Sequence, residues 1–486
     1  MFYPYPNWLV AGDNSWQMTA ATFVGLMSLP GIAVLYGGLV KKKWAVNTML
    51  MAFAGFAAVL IVWVFWGYDM GFGTPLHLGG GHGIANILDG FIGHPGSVTG
   101  PGQEINQASI PNFAGASPPF HFPYATLVYF QLVFAAITPL LFLGSVLGRM
   151  NFKAWLIFVP AWTTCVYTVN AMLIWGGGYW ATKGALDYSG GYVIHLAAGV
   201  SGFVAAWMIG PRLLRDRQSF PPTNLLLVAV GAGVIWLGWN GFNGGDPYYA
   251  SADASAALLN TNICTATALI TWVAADTFMG PAKKPTFLGS INGMIVGLVT
   301  ITPAAGFVNG NAAAVMGVIA SLAIFFAWTY LPRFRPFSKV DDALGVVYTH
   351  GMAGFLGGIM TGFLADPYMV EYAAGKKNTA ALWSGPNGAG GLLYGNSDRV
   401  LIQFLTGLTI IVWDAAITAL LLLIIKHVLR VPLRYSDAEL EEGDPAVHDE
   451  EVEPPVLAIR RDVENVPALP PRGDIMETLA PKGGVR

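Results

Sequence analysis

The sequence predicts an all-α polytopic membrane protein: eleven transmembrane helices in an inverted five-plus-five repeat, followed by a final helix. Three observations lead there. Apolar residues make up 54% of the chain and charged residues only 11%, against about 25% charged in ordinary soluble domains. Apolar runs of spanning length, about 17–25 residues, recur along most of the chain. One pattern also occurs twice inside such runs: Asp, seven residues, His, two residues, Ala-Gly, two residues, Gly. Its first copy runs from Asp187 through His195, Ala198 and Gly199 to Gly202, and its second from Asp342 through His350, Ala353 and Gly354 to Gly357.

Taken in order, the runs place spans at 16–40, 44–69, 123–147, 154–174, 190–209, 223–245, 253–279, 287–304, 309–332, 343–365 and 400–429. Internal Gly and Pro are tolerated in bundled membrane helices because neighbours satisfy the freed backbone. Lys and Arg fall in alternate loops: Lys41, Lys42 and Lys43; Arg149 and Lys153; Arg212, Arg215 and Arg217; Lys283 and Lys284; Arg333, Arg335 and Lys339; then Arg430 and Arg434. The other loops hold only Lys183, Lys376, Lys377 and Arg399. The positive-inside rule puts the N-terminus outside and the C-terminus in the cytoplasm of a multi-pass plasma-membrane protein. Met1 to Trp16 carry no basic stretch of the kind that opens a cleaved signal peptide. Residues 1–432 form the membrane domain and 433–486 an acidic, then Pro-rich cytoplasmic tail, in part disordered by composition. The segments 70–122 and 366–398 are external loops long enough to build a vestibule or an oligomer contact.

Five helices per set forces the second set to run in the opposite sense across the membrane. Helices five and ten carry the Asp…His pattern. Helices three and eight carry Ile137-Thr138-Pro139 and Ile301-Thr302-Pro303, and helices two and seven carry Asn47-Thr48 and Asn260-Thr261. Each His lies eight residues beyond its Asp, about 12 Å along a helix, in an apolar core about 30 Å thick. The imidazoles are expected to approach each other near the midplane. Each Asp stands where a helix-capping or first-turn carboxylate would, and the small residues after each His permit close helix contact.

Ionisable side chains inside a membrane are costly and point to function. A neutral imidazole has one donor and one acceptor, so His195 and His350 can bond each other and still offer a polar edge to a small molecule. Structural histidines bridging two helices are the competing reading. Aromatic residues gather near the outer helix ends: Trp175, Phe134, Trp239 and Phe242, with Asp246 following. A ring face beside a carboxylate attracts a cation, although Trp175 also suits an interfacial belt. Two histidines alone make a poor zinc site, and no nucleophile or cofactor loop is apparent. No enzyme, metal or cofactor is therefore expected. Cys165 and Cys264 read as small core residues.

At these residues the chain resembles the ammonium transporter family (Amt/Mep/Rh), of the Amt type. The resemblance rests on Tyr36-Gly37-Gly38, Phe130-Gln131 with Phe134 to Thr138, Trp175-Gly176-Gly177-Gly178, and Gly184 to Asp187 through His195. It continues in Gly238-Trp239 with Gly241-Phe242-Asn243, in Thr302-Pro303, and in Asp341-Asp342 through His350-Gly351. The stretch from Asn240 to Cys264 looks more like the second plant type than the best-known bacterial form. The resemblance implies a homotrimer with one pore per subunit and net uptake of ammonium nitrogen, with ammonium, ammonia and methylammonium as substrates. Carried over by position, Trp175 and Phe134 form an external recruitment site, Phe134 and Phe242 a stacked gate, and His195 and His350 the pore pair. Asp187, Asp342, Gln131 and Thr302 are supports.

Two positions depart from the family pattern. Asp246 stands where many members have Ser, which adds a charge to the recruitment site. Gly345 stands where many bacterial members have a further Asp. The tail from Leu433-Arg434 through Glu439 to Gly443 is loosely similar to the family tail that docks a PII-type signalling protein. A merely solubilising tail is the other reading. An ammonium sensor with little flux and a channel for a gas such as carbon dioxide are the alternative functions.

Overall fold

The computed structural model describes residues 6–76, 89–113, 120–218, 222–373 and 390–452. Among the described residues all regular structure is helical, with three isolated β-bridges in the loops. Among the described residues nine helices are long and apolar enough to span a bilayer: α1 (Ala11–Leu39), α2 (Lys42–Phe72), α3 (Tyr124–Val146), α4 (Phe152–Thr182), α5 (Gly191–Ile209), α6 (Leu225–Gly245), α7 (Ala252–Phe278), α9 (Gly310–Arg333) and α11 (Asp398–Val428). Two more complete the order: the shorter α8 (Phe287–Ile301), and α10, which runs through Val347–Met352 and Ala353–Leu364. Two short helices follow, α12 (Asp437–Glu442) and α13 (Asp444–His448).

Short polar side chains start several of these helices by accepting from otherwise unpaired N–H groups. Asn224 begins α6, Ser251 α7, Thr286 α8 and Asn309 α9 in this way. Helix α1 starts at Ala11, earlier than the apolar run at 16, because its first turns contain Asp13 and Asn14. Wide π-turns interrupt α1 at Met27–Gly31, where Pro30 removes a donor, and recur at Gly191–Leu196 and Val347–Met352, around the two histidines.

The interior is organised around α3, which is enclosed along almost its whole length. Helix α5 packs on α3 and α11, α10 packs on α8 and α11, and α1 lies against α6. The ends of α3 and α8 receive matching loops. Tyr188 and Ser189 donate to the carbonyls of Pro303 and Thr302, while Ala343 and Leu344 donate to those of Ser145 and Gly144. Gly144-Ser145 is thus the counterpart of Thr302-Pro303. Ile137-Thr138-Pro139, matched above to Ile301-Thr302-Pro303, lies about two turns out of register, so that correspondence is corrected.

The described parts of the long loop after α2 fold down on the helix ends. Tyr124 donates to Asp69, Asn112 donates to the carbonyl of Gly177, and Phe120 meets Tyr248 at 4.9 Å. Residues 374–389 of the 366–398 segment lie outside the described residues. The acidic tail begins as packed structure. Asp444 accepts from the N–H groups of Val46 and Asn47 at the start of α2, Tyr435 stacks on Trp44, and burial pushes the Asp444 carboxyl up to about 6. Residues 453–486 lie outside the described residues. Cys264 is buried as expected, but Cys165 is only partly so.

Candidate functional site

Each histidine is positioned by a turn that ends in a glycine. Asp187 is fully buried, and its carboxylate accepts from the N–H groups of Gly190, Gly191, Tyr192 and Val193, gathering the first turn of α5. The turn closes at Gly190 with φ +110°. Asp342 accepts from Val347 N–H at the start of α10, and its turn closes at Gly345 with φ +67°. Both glycines stand three residues after their Asp. Gly345, read from sequence only as a departure, is therefore the counterpart of Gly190. A left-handed turn strongly favours glycine, and a Cβ at 345 would also stand 2.1 Å from the Trp328 ring.

These turns correct one sequence expectation. The eight residues from each Asp to its His are not one continuous helix, because each Asp sits in the turn that precedes the helix. Helix α5 begins at Gly191, inside the bundle, and α11 holds the preceding turn there. Gln403 accepts from Leu186 N–H and donates to the carbonyls of Leu186 and Gly358, while Arg399 donates to the carbonyl of Gly184. The histidines consequently lie in the first turns of their helices.

Glycine lets the two helices cross at backbone distance. A Cβ on Gly199 would stand 2.2 Å from Gly351 Cα, and one on Gly354 would stand 2.5 Å from the Gly191 carbonyl and 3.0 Å from His195 Cβ. At this crossing His195 Nδ1 and His350 Nδ1 are 3.3 Å apart, so one ring donates and the other accepts. His195 Nε2 has no partner among the described residues.

A ladder of rings leads to this pair. Trp175 meets Phe134 edge-on at 6.1 Å, Phe134 meets Phe242 at 4.4 Å, and Phe242 stacks on His195 at 5.9 Å. Trp239 stacks on His195 at 5.2 Å and is held by a hydrogen bond from its Nε1 to Thr302 Oγ1. Trp175 Nε1 donates to the carbonyl of Asp187, which ties this ring to the α5 turn. Gln131 donates to the Tyr248 hydroxyl at 2.8 Å. Beyond His350 lies a narrow cavity of about 30 Å³, lined by Tyr36, Leu141, Ile235, Trp239 and other apolar side chains. That is room for one or two molecules the size of water.

Asp246 caps the C-terminal end of α6, 9% exposed and beside Ser189, and its Oδ2 has no hydrogen-bond partner among the described residues. No ring contact or hydrogen bond among those residues joins it to Trp175 or Phe134. Sequence reasoning placed Trp239 only among the cation-attracting aromatics, not against His195, and gave no site role to Tyr248, Gln403 or the two turn glycines. A signal existed for the glycines alone, since Asp-x-x-Gly is part of both repeat copies.

Fold and site together define an α-helical, multi-pass membrane protein with a narrow, mainly apolar cavity against two bonded imidazoles. A sequence profile described as the Ammonium Transporter Family matches residues 15–453. Ammonium transporter 3 member 2 of Oryza sativa subsp. japonica is 49% identical over 446 residues, covering 92% of this chain and 90% of that one. Ammonium transporter 2 of Arabidopsis thaliana is 47% identical over 449 residues, covering 92% and 89%. The crystal structure of Saccharomyces cerevisiae Mep2 superposes with a TM-score of 0.74 at 28% identity, covering 89% of each chain. The chain belongs to the ammonium transporter family.

Proposed function

We propose that the protein carries ammonium nitrogen inward across the plasma membrane, with its N-terminus outside, its C-terminus in the cytoplasm and eleven crossings per subunit of a homotrimer. Ammonium is recruited at the outer end by the faces of Trp175 and Phe134 and by the charge of Asp246. It loses its proton near Phe134 and Phe242 and passes His195 and His350 as ammonia. The proton returns to outer water or crosses separately.

The carrying observation is the ring ladder that ends on two imidazoles 3.3 Å apart, with one Nε2 left over. The physical motive is cost. A cation at the bilayer centre costs at least about 2.5–3.5 kcal/mol, whereas ammonia carries no charge to desolvate. Alkali cations have no proton to lose and are rejected at the same step. Asp187, Asp342, Gln131 and Thr302 act as supports, as their bonds to turn N–H groups, Tyr248 and Trp239 suggest.

The test is methylammonium uptake into vesicles reconstituted with the protein. Replacing His195 and His350 together with Leu abolishes selective uptake while the folded oligomer persists. Undiminished selective uptake in that variant refutes the assignment. In the same assay Asp246→Ala raises the external concentration needed for half-maximal uptake, and an unchanged value removes Asp246 from the recruitment site.

A further inference from the structure

The end of α11 and the chain that follows it form a basic pocket the transport route does not use. A cavity of about 330 Å³ is lined by Lys426, Arg430 and Arg434, over a floor that includes Met208 and Ile209 of α5 and Leu433. Arg434 is paired with Asp437 at 2.8 Å. Lys426 and Arg430 have no acidic partner among the described residues. They stand four apart at the end of α11, and Arg430 adopts φ +57°, where the helix ends and the chain turns toward the pocket floor.

Chain neighbours of the pocket-lining residues are apolar and exposed. Val428 is 70% exposed and Trp207 is 66% exposed, a pairing that suits the boundary between hydrocarbon and headgroups. Basic side chains at helix ends are ordinary in membrane proteins. Two cations without an acidic partner among the described residues, on the wall of a cavity with a partly apolar floor, are more specific. Basic pockets between helices at this depth suit phosphate-bearing headgroups.

We propose that this pocket binds the phosphate headgroup of an anionic phospholipid in the leaflet on the C-terminal side, with Lys426 and Arg430 as its ligands. Only the naming of that leaflet as cytoplasmic rests on the orientation given above. The phosphate diester supplies the acceptor oxygens that both cations lack, and the glycerol backbone and acyl chains continue over Trp207 and Val428. Since the pocket wall includes the first residues of the tail, an occupied site would brace the tail where it leaves α11.

The experiment measures lipid binding by native mass spectrometry, adding phosphatidylglycerol to the full chain purified with phosphatidylcholine. The parent protein shows a tight phosphatidylglycerol site. Lys426→Gln with Arg430→Gln weakens it about 30-fold, and each single change about fivefold, at about 1 kcal/mol per basic residue. Lys283→Gln with Lys284→Gln, the same charge loss in another loop on that membrane side, leaves it intact. The single variants carry the test if the pair fails to fold. Unchanged binding in the singles or the pair overturns the proposal, as does equal weakening in the Lys283/Lys284 control. Competition by glycerol 3-phosphate at the affinity of the whole lipid overturns the lipid and leaves a free-anion site.

Discussion

Gly345 has a left-handed backbone and faces the Trp328 ring, so it has two independent reasons to lack a side chain. A non-glycine residue held at positive φ costs about 1–3 kcal/mol. The Gly345→Ala variant should accordingly unfold at a lower temperature, and it should loosen the Asp342 to Val347 bond that starts α10. A melting temperature equal to the parent's, measured in the same detergent, would contradict this. The histidines were legible in the sequence because a polar side chain in an apolar run has few innocent explanations. Gln403 was not: its partner Leu186 is 217 residues away, and nothing local to either residue announces the contact. Trp239 was visible as an aromatic, but its stacking on His195 and its bond to Thr302 arise only when α5, α6 and the end of α8 come together.

At the scale of elements, the crossing of α5 and α10 sets the distance between the imidazoles. Glycine stands on both sides of the contact, at 199 and 351, and Gly354, the counterpart of Gly199, packs against the Gly191 carbonyl and the Leu196 backbone. Adding bulk to a closely packed contact costs about 1–3 kcal/mol and shifts backbone. We expect Gly199→Val to lower the melting temperature and to depress uptake even though it leaves both histidines in place. Normal uptake at a reduced melting temperature would show that the imidazoles tolerate a wider spacing than 3.3 Å. The small residues after each His foretold this close approach, because small-residue stripes are how membrane helices let backbones meet. The register between α3 and α8 was misread in the sequence. Thr-Pro pairs in two apolar helices looked equivalent, while the true correspondence is carried by backbone carbonyls, which leave no mark on side-chain identity.

For the whole molecule, a basic and acidic knot on the C-terminal side joins segments from both repeats. Arg212, after α5, binds the Asp341 carboxylate through its backbone N–H and two guanidinium nitrogens, and Arg149 donates to the carbonyls of Asp341 and Gly210. The tail joins it, since Tyr435 N–H donates to the carbonyl of Arg149. Burial alone would push the Asp341 carboxyl up, but the hydrogen bonds and charge of Arg212, with the charge of Arg149, outweigh it and hold it at about 2. Its folded value lies below the ordinary 3.8. Its contribution, about 2 kcal/mol, is therefore complete above about pH 4 and lost as pH falls toward about 2. Arg212→Gln should remove much of this, lowering stability at neutral pH and flattening the loss between pH 4 and pH 2. A pH profile parallel to the parent's would show that Asp341 does not depend on Arg212.

Composition and period were enough for the membrane class, the approximate spans and the pairing of the two histidines, because apolar length and a repeated polar exception are local properties of the chain. The register of the repeats was decided in three dimensions, as were the burial of the aspartate turns and the anchoring of Trp175 to the Asp187 carbonyl. Each depends on hydrogen bonds between backbone groups or residues far apart in sequence. The basic pocket at the end of α11 has the same origin: its cations are plain in the sequence, but the cavity between them exists only where the end of α5 meets the start of the tail.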